Sequence, residues 1–283
     1  MKAGLAVLLL IAVACLLAPA YARWVSGTEP FRTNILGTVR GEPVLAEAPG
    51  GLGTVPAGPG WRGAYLLGAD GLGRDVAARL LYGGRTSLLV AVGATLLCLA
   101  VGGLAGTLSG AWGGWVDQGV SALIDLVWAF PVTLLAIALA AVLGGEQRGL
   151  WLPVVILGLV YSPYVARPVR AALLALRDTP FIEAATATGG GRLHILRRHL
   201  LPQLAPLLLG LAPVVAAMVM LTEAALSVLG LGVPAPGVSW GTLIGDGIAL
   251  LHQRPVVAIA PGLALSATVL ALNAVGEGFD ARR

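Results

Sequence analysis

The sequence predicts an all-α, polytopic membrane protein with about six transmembrane helices. Three observations carry this. Hydrophobic residues make up 57% of the 283 positions and charged ones only 11%, too little polar surface to cover a water-soluble globule. The charges also fall in clusters, leaving uncharged windows at 3–22, 86–116, 126–145, 149–166, 224–245 and 255–276. Most of these windows reach the roughly 17–25 residues that a bilayer-crossing helix requires.

Taken in order, the first span is 3–21. Its basic start, apolar run and small-x-small ending suit a cleaved signal peptide as well as a retained anchor, and we read an anchor over 1–22. Residues 23–85 follow as an external segment, in which the glycine and proline of 22–66 argue against a packed domain. Spans at 87–110, 119–143 and 150–168 come next, with a kink expected at Phe130-Pro131 in the second of these. A further span must lie at 203–229. The last is 255–276, with "GLGVPAPGVSWG" (230–241) too broken to be a separate helix. Residues 86–277 thus form a five-helix core, followed by a short tail at 278–283. Trp112, Trp115 and Trp151 are expected to anchor at the membrane surface.

Counting crossings from a cytoplasmic N-terminus places 169–202 and the tail inside, and 144–149 and 230–254 outside. The charge balance agrees for short loops. The 169–202 loop carries Arg170, Arg177, Arg192, Arg197 and Arg198, whereas 144–149 offers Arg148 offset by Glu146. The arginines of 23–85 sit in a segment beyond the length at which that rule discriminates.

Composition also excludes chemistry. Lys2 is the only lysine, so no glycine-rich loop can offer the lysine that cradles a nucleotide's phosphates. Cys15 and Cys98 lie in apolar runs and read as packing residues, and the three histidines lack metal-ligand spacing. Two acids fall in or near spans, Asp125 and Glu223. Each is either a candidate for the translocation path or a structural hydrogen-bonding group at a helix end or between helices.

The informative loop is "RDTPFIEAATATGGGRLHILRRHLLP", 177–202. Asp178 or Thr179 followed by Pro180 starts a short helix, Gly189 to Gly191 stop it, and a second short helix leads into the next span. A short helix with small residues on one face and a single acid suits a groove on another protein.

The spacing of Glu183, Ala184, Ala185, Gly189, Leu201 and Pro202 resembles the EAA loop of ABC-importer permeases. "TEAAL" at 222–226 is an internal control: it has the three letters but Leu229 where the glycine belongs. His199 is similar to the peptide-importer branch. "LGADGLGRDVAARLLYGGRTSL" (67–88), the stretch from 223 to 247 and "LNAVGEGFDARR" (272–283) resemble the dipeptide, oligopeptide and nickel importer permeases, whereas 22–66 resembles nothing recognised.

The resemblance implies a type I ABC importer permease fold and an ATP-driven import subunit that does no covalent chemistry. It implies that 178–202 is the coupling loop, with Glu183 paired to a basic residue of an ATPase. ATP and its Mg2+ would bind only on two separate ATPase subunits. A second, similar permease, an extracytoplasmic solute-binding protein and the lipid bilayer would be its other partners, with no nucleic acid. The cargo would be peptides, glutathione-like molecules or a nickel complex. The alternative is a stand-alone secondary transporter driven by an ion gradient, which calls for internal repeats and paired discontinuous helices. An intramembrane enzyme would need converging catalytic groups, and the spans offer only two isolated acids.

Overall fold

The computed structural model describes residues 1–48, 53–60, 63–143 and 149–280. The 144–149 loop charges and the last three residues of the tail therefore lie outside the described residues.

Helix α1 (Lys2–Leu16) continues through α2 (Ala18–Ala20) into a widened turn, Tyr21–Ser26, with a 44° bend. Two small antiparallel hairpins follow, β1 (Thr38–Val39) with β2 (Glu42–Pro43) and β3 (Leu45–Glu47) with β4 (Thr54–Pro56). Strands this short have no alternating apolar pattern to read, so the sequence conceals them. Val44, Tyr65 and Ala69 bury a small core beneath the hairpins. The described part of 22–66 thus contributes to a small packed core, contrary to what its composition suggested.

Helix α3 (Val76–Trp112) starts well before 87. Asp75 explains the start. Fully buried, its carboxylate accepts from the Ala77 and Ala78 amides at 2.9 and 3.1 Å, which caps the helix. Its other oxygen accepts from the Tyr65 amide at 2.8 Å and from Ser26 Oγ. One carboxylate thus ties the exit of α1, the hairpin segment and the start of α3 together. Tyr65 is held at φ 57, and its hydroxyl donates to the Gly73 carbonyl at 2.9 Å while accepting from Asn34. Burial pushes its phenol above the ordinary value, so it serves as a neutral donor. Asp75→Ala removes the cap and strands two buried donors, at a cost of about 3 kcal/mol in sum. The expected outcome is a lowered unfolding midpoint in detergent with selective proteolysis of 27–60.

Arg79, in the first turn of α3, is 3% exposed. Its guanidinium lies 3.4 Å from Asp70 and 3.2 Å from Asp246, and Arg74 reaches the same two acids. This cluster lets a charged stretch that reads as loop continue as helix.

Helices α4 (Gly114–Trp128) and α5 (Val132–Leu143) meet at 89°. The bend is at Phe130-Pro131 as expected, but it is a near right angle rather than a kink. Pro131 has no N–H to continue the ladder and restricts the residue before it. Helices α6 (Trp151–Val160) and α7 (Ser162–Arg177) join into one 27-residue span. It runs past 168, so the first part of the anticipated loop is helical.

Helices α3 and α7 pack most closely. Ala94, Cys98, Gly102, Gly106 and Gly110 recur at every fourth position of α3, all buried, forming a stripe that lets two backbones approach. At Gly106 a Cβ would sit 2.9 Å from Val169 Cβ and closer still to the Ala166 carbonyl. Both cysteines are free and buried, Cys98 in this stripe and Cys15 against Gly84.

Beyond two short elements, α8 (Pro180–Ala187) and α9 (Arg192–Ile195), α10 (Leu201–Val228) leads to α11 (Trp240–Ile248) and α12 (Val256–Asp280). Trp240 is buried where α11 starts, donating its indole N–H to the Leu80 carbonyl at 2.9 Å. Among the described residues, four helices are long and apolar enough to cross a membrane, or six if each bent pair counts as one span.

Candidate functional site

The basic loop is built by local rules. Thr179 sits in extended conformation immediately before Pro180 at the first helical position, and its carbonyl accepts from the Ile182 and Glu183 amides at 3.0 and 3.2 Å. At the other end, Gly189 has φ 87 and donates to the Thr186 carbonyl, while Gly190 donates to the Ala185 carbonyl at 3.1 Å. These two bonds close α8 with a Schellman turn. The glycines have separate duties. Gly189 supplies the left-handed backbone; at Gly190 a Cβ would lie 2.6 Å from the Ala185 carbonyl.

The hairpin is fastened on one side. Ile182 is buried in the same apolar cluster as Leu173 of α7, Ile195, Leu196 and Leu200, and Leu204 of α10, with Ala185 packed against it. The opposite side is open: Phe181, Glu183 and Ala184 are exposed. Glu183 makes no ion pair among the described residues, although Arg192, Arg197 and Arg198 stand nearby in sequence and are exposed too. Its carboxylate is therefore open to solvent and uncommitted to any described cation of its own chain. His199 is half-buried, 6.5 Å from the Phe181 ring and 6.1 Å from His194 between centroids. Leu201 and Pro202 are exposed at the start of α10, and Pro202 lines a shallow depression with His194, Arg197 and Arg198.

Two fastenings escape a reading of the loop alone. Ile182 alternates with the exposed residues without a periodic run long enough to mark a buried face. Arg177 donates from Nη1 to the Gly110 carbonyl at 2.9 Å, tying the end of α7 to the end of α3. Beside it, Arg170 grips Asp117 of α4 with two bonds of 2.6 Å, and Ser109 of α3 joins the same carboxylate. A bidentate pair of this kind fixes orientation as well as distance. Helix α7, which carries the hairpin, is thus held to α3 and α4 through four side chains, Arg170, Arg177, Asp117 and Ser109.

Asp125 and Glu223 occupy different settings. Asp125 is exposed and pairs with Arg167 at 2.6 Å, whose guanidinium stacks 3.7 Å from the Trp128 ring centroid. Glu223 is 1% exposed; Ser227 donates to it at 2.7 Å and Ser87 of α3 at 3.3 Å. Ser87 in turn accepts from the Trp240 amide at 3.1 Å. This network joins α3, α10 and the start of α11. Glu223→Gln keeps the hydrogen-bonding shape, so its unfolding midpoint in detergent is expected to stay close to that of the wild type, whereas Glu223→Leu, which leaves Ser87 and Ser227 without their acceptor, should lower it.

Among the described residues, no group of three or more His, Cys, Asp or Glu side chains could hold a metal ion. Trp112, Trp115 and Trp151 are exposed near helix ends, as interfacial residues are.

Comparison with known proteins gives the chain its relatives. A family model described as "Binding-protein-dependent transport system inner membrane component" matches residues 102–283. A protein of Brucella ovis that carries the name peptide permease is 41% identical over 230 residues, covering 79% of this chain and 74% of its own. A peptide transport system permease, so named, of Brucella suis biovar 1 is 34% identical over 279 residues, or 98% of this chain and 85% of its own. The glutathione transport system permease of Pectobacterium atrosepticum is 36% identical over 216 residues, 76% of this chain and 71% of its own. In fold, the chain is similar to a chain of the methionine ABC transporter in an inward-facing conformation. The TM-score is 0.59 at 23% identity, spanning 70% of this chain and 93% of the other.

Proposed function

The chain belongs to the binding-protein-dependent transport system inner membrane components, the permease subunits of ABC importers, and from that premise we propose that it carries peptides across the membrane through a coupling helix, α8. The observation that carries the mechanism is the division of α8 into a buried anchor, Ile182, and an open face bearing an unpaired Glu183. A helix that is fixed to the spans behind and free in front transmits displacement from whatever seats against its front.

In this reading 178–202 faces the cytoplasm and α8 lies in a cleft of an ATPase subunit, with Glu183 against a basic residue there. ATP and Mg2+ bind on the ATPases. Their closure moves α8, and the fastenings of Ile182, Arg170 and Arg177 pass the motion to α7, α10 and α3. The spans then exchange inward-open for outward-open packing as rigid bodies, and hydrolysis resets them. The assembly holds a second permease, two ATPases and an external solute-binding protein. Peptide cargo is supported by the relatives named for peptides and glutathione; a nickel complex is the second cargo that the sequence motifs allow.

Reconstitution of the assembly with its binding protein in liposomes tests this. Accumulation of labelled di- and oligopeptides should require both ATP and the binding protein, with nickel as the parallel substrate. Uptake driven by an ion gradient without ATP would contradict the reading.

A further inference from the structure

Behind the hairpin lies a cavity of about 300 Å³, walled in part by the fastening residues Arg177 and Ile182. At ~30 Å³ per water it has room for about ten waters, too little for a whole lipid but enough for a headgroup and its first methylenes. Its apolar wall is made by Trp112, Ile182, Ile195 and Leu196, and two guanidinium-bearing residues, Arg177 and Arg192, also line it. No Asp or Glu is among its lining residues. Arg177 is steered by one bond to the Gly110 carbonyl, which leaves further N–H groups for a ligand. Arg192 makes no ion pair among the described residues and is exposed.

We propose that this cavity is a binding site for the phosphate headgroup of an anionic phospholipid. The two arginines complement a phosphodiester, for which guanidinium geometry is well matched, and they disfavour a headgroup that brings its own cation, as choline does. The apolar wall complements the start of the acyl chains, and this combination selects an amphiphile over a free anion. Trp112, 45% exposed, ends the long span α3, the position an aromatic residue takes at a membrane surface. The headgroup would then be wedged between the α8–α9 hairpin and the ends of α3 and α7. A lipid seated there props the hairpin from behind. The binding is independent of the transport reading; only the propping of a coupling element rests on it.

Native mass spectrometry of the intact, delipidated assembly decides the matter, since it reads binding and not ATPase turnover. Phosphatidylglycerol and phosphatidylcholine with identical acyl chains are titrated separately, with inorganic phosphate as a third arm. Phosphatidylglycerol should be retained roughly tenfold more strongly than phosphatidylcholine, about one charge-assisted hydrogen bond's worth. Arg192→Gln should weaken it about fivefold or more without altering retention of phosphatidylcholine. Ala111→Leu, which fills the cavity from α3 and leaves both arginines, should weaken it comparably. Equal retention of the two lipids would overturn the site, as would phosphatidylglycerol binding unchanged in both variants. Displacement of phosphatidylglycerol by inorganic phosphate would overturn the lipid assignment.

Discussion

Glu183→Arg is expected to abolish ATP-driven uptake while leaving the protein inserted and folded. The side chain is exposed and makes no ion pair among the described residues, so reversing its charge breaks nothing in this chain. At a docked interface the same change replaces attraction by repulsion. Removing one member of a buried, hydrogen-bonded charge pair usually weakens association by at least ~30-fold, and reversal adds to that. Uptake into proteoliposomes should therefore fall by a factor of ~30 or more, with the unfolding midpoint unchanged. Ala184→Asp, on the same open face, should act in the same direction. Normal uptake by Glu183→Arg would remove this residue from the coupling contact.

Gly106→Ala is expected to destabilise the whole bundle, and Gly103→Ala to leave it intact. The two glycines are three residues apart on α3, and both substitutions gain up to about 1 kcal/mol of helix propensity. At Gly106 the new methyl meets the Ala166 carbonyl and Val169 Cβ, which cannot swing aside. At Gly103 it meets only Leu208 Cδ2, at an ordinary 3.8 Å. Overpacking of the first kind typically costs 1–3 kcal/mol, and the rigidity of both obstacles puts Gly106→Ala at a net loss of about 2 kcal/mol. By the usual scaling of about 2–4 °C per kcal/mol for chains of this size, its midpoint falls by roughly 4–8 °C. Because α7 carries the hairpin, transport should fall with it. Equal midpoints for the two variants would show that the α3–α7 seam tolerates separation.

The contrast between these two glycines shows what a sequence conceals. Spans are legible because a bilayer imposes a one-dimensional rule, an unbroken apolar window of a given length. The hairpin was legible for the same reason: Thr179, Pro180 and Gly189 act within one turn of where they stand. Features set by distant partners were not. Arg79 and Arg85 kept the start of α3 out of the uncharged window, and the acids that neutralise Arg79, Asp70 and Asp246, come from outside the helix. The four-residue spacing of Gly102, Gly106 and Gly110 was visible as letters, yet only α7 gives it a partner. Pro131 marked where the chain bends, but nothing local to it gave the 89° angle. Spacing singled out Glu183 as a candidate, whereas Ile182, one residue away, gave no sign of anchoring the helix.

The central claim is that α8 is the surface on which the ATPases act. Affinity purification of the tagged chain from its native membrane in mild detergent, with mass spectrometry of the co-purifying chains, addresses it most directly. A Glu183→Arg sample is run alongside. The account predicts a second permease and two ATPases with the wild-type chain, and in the variant the same permease with the ATPases largely lost. A chain recovered alone and still competent in transport would contradict it.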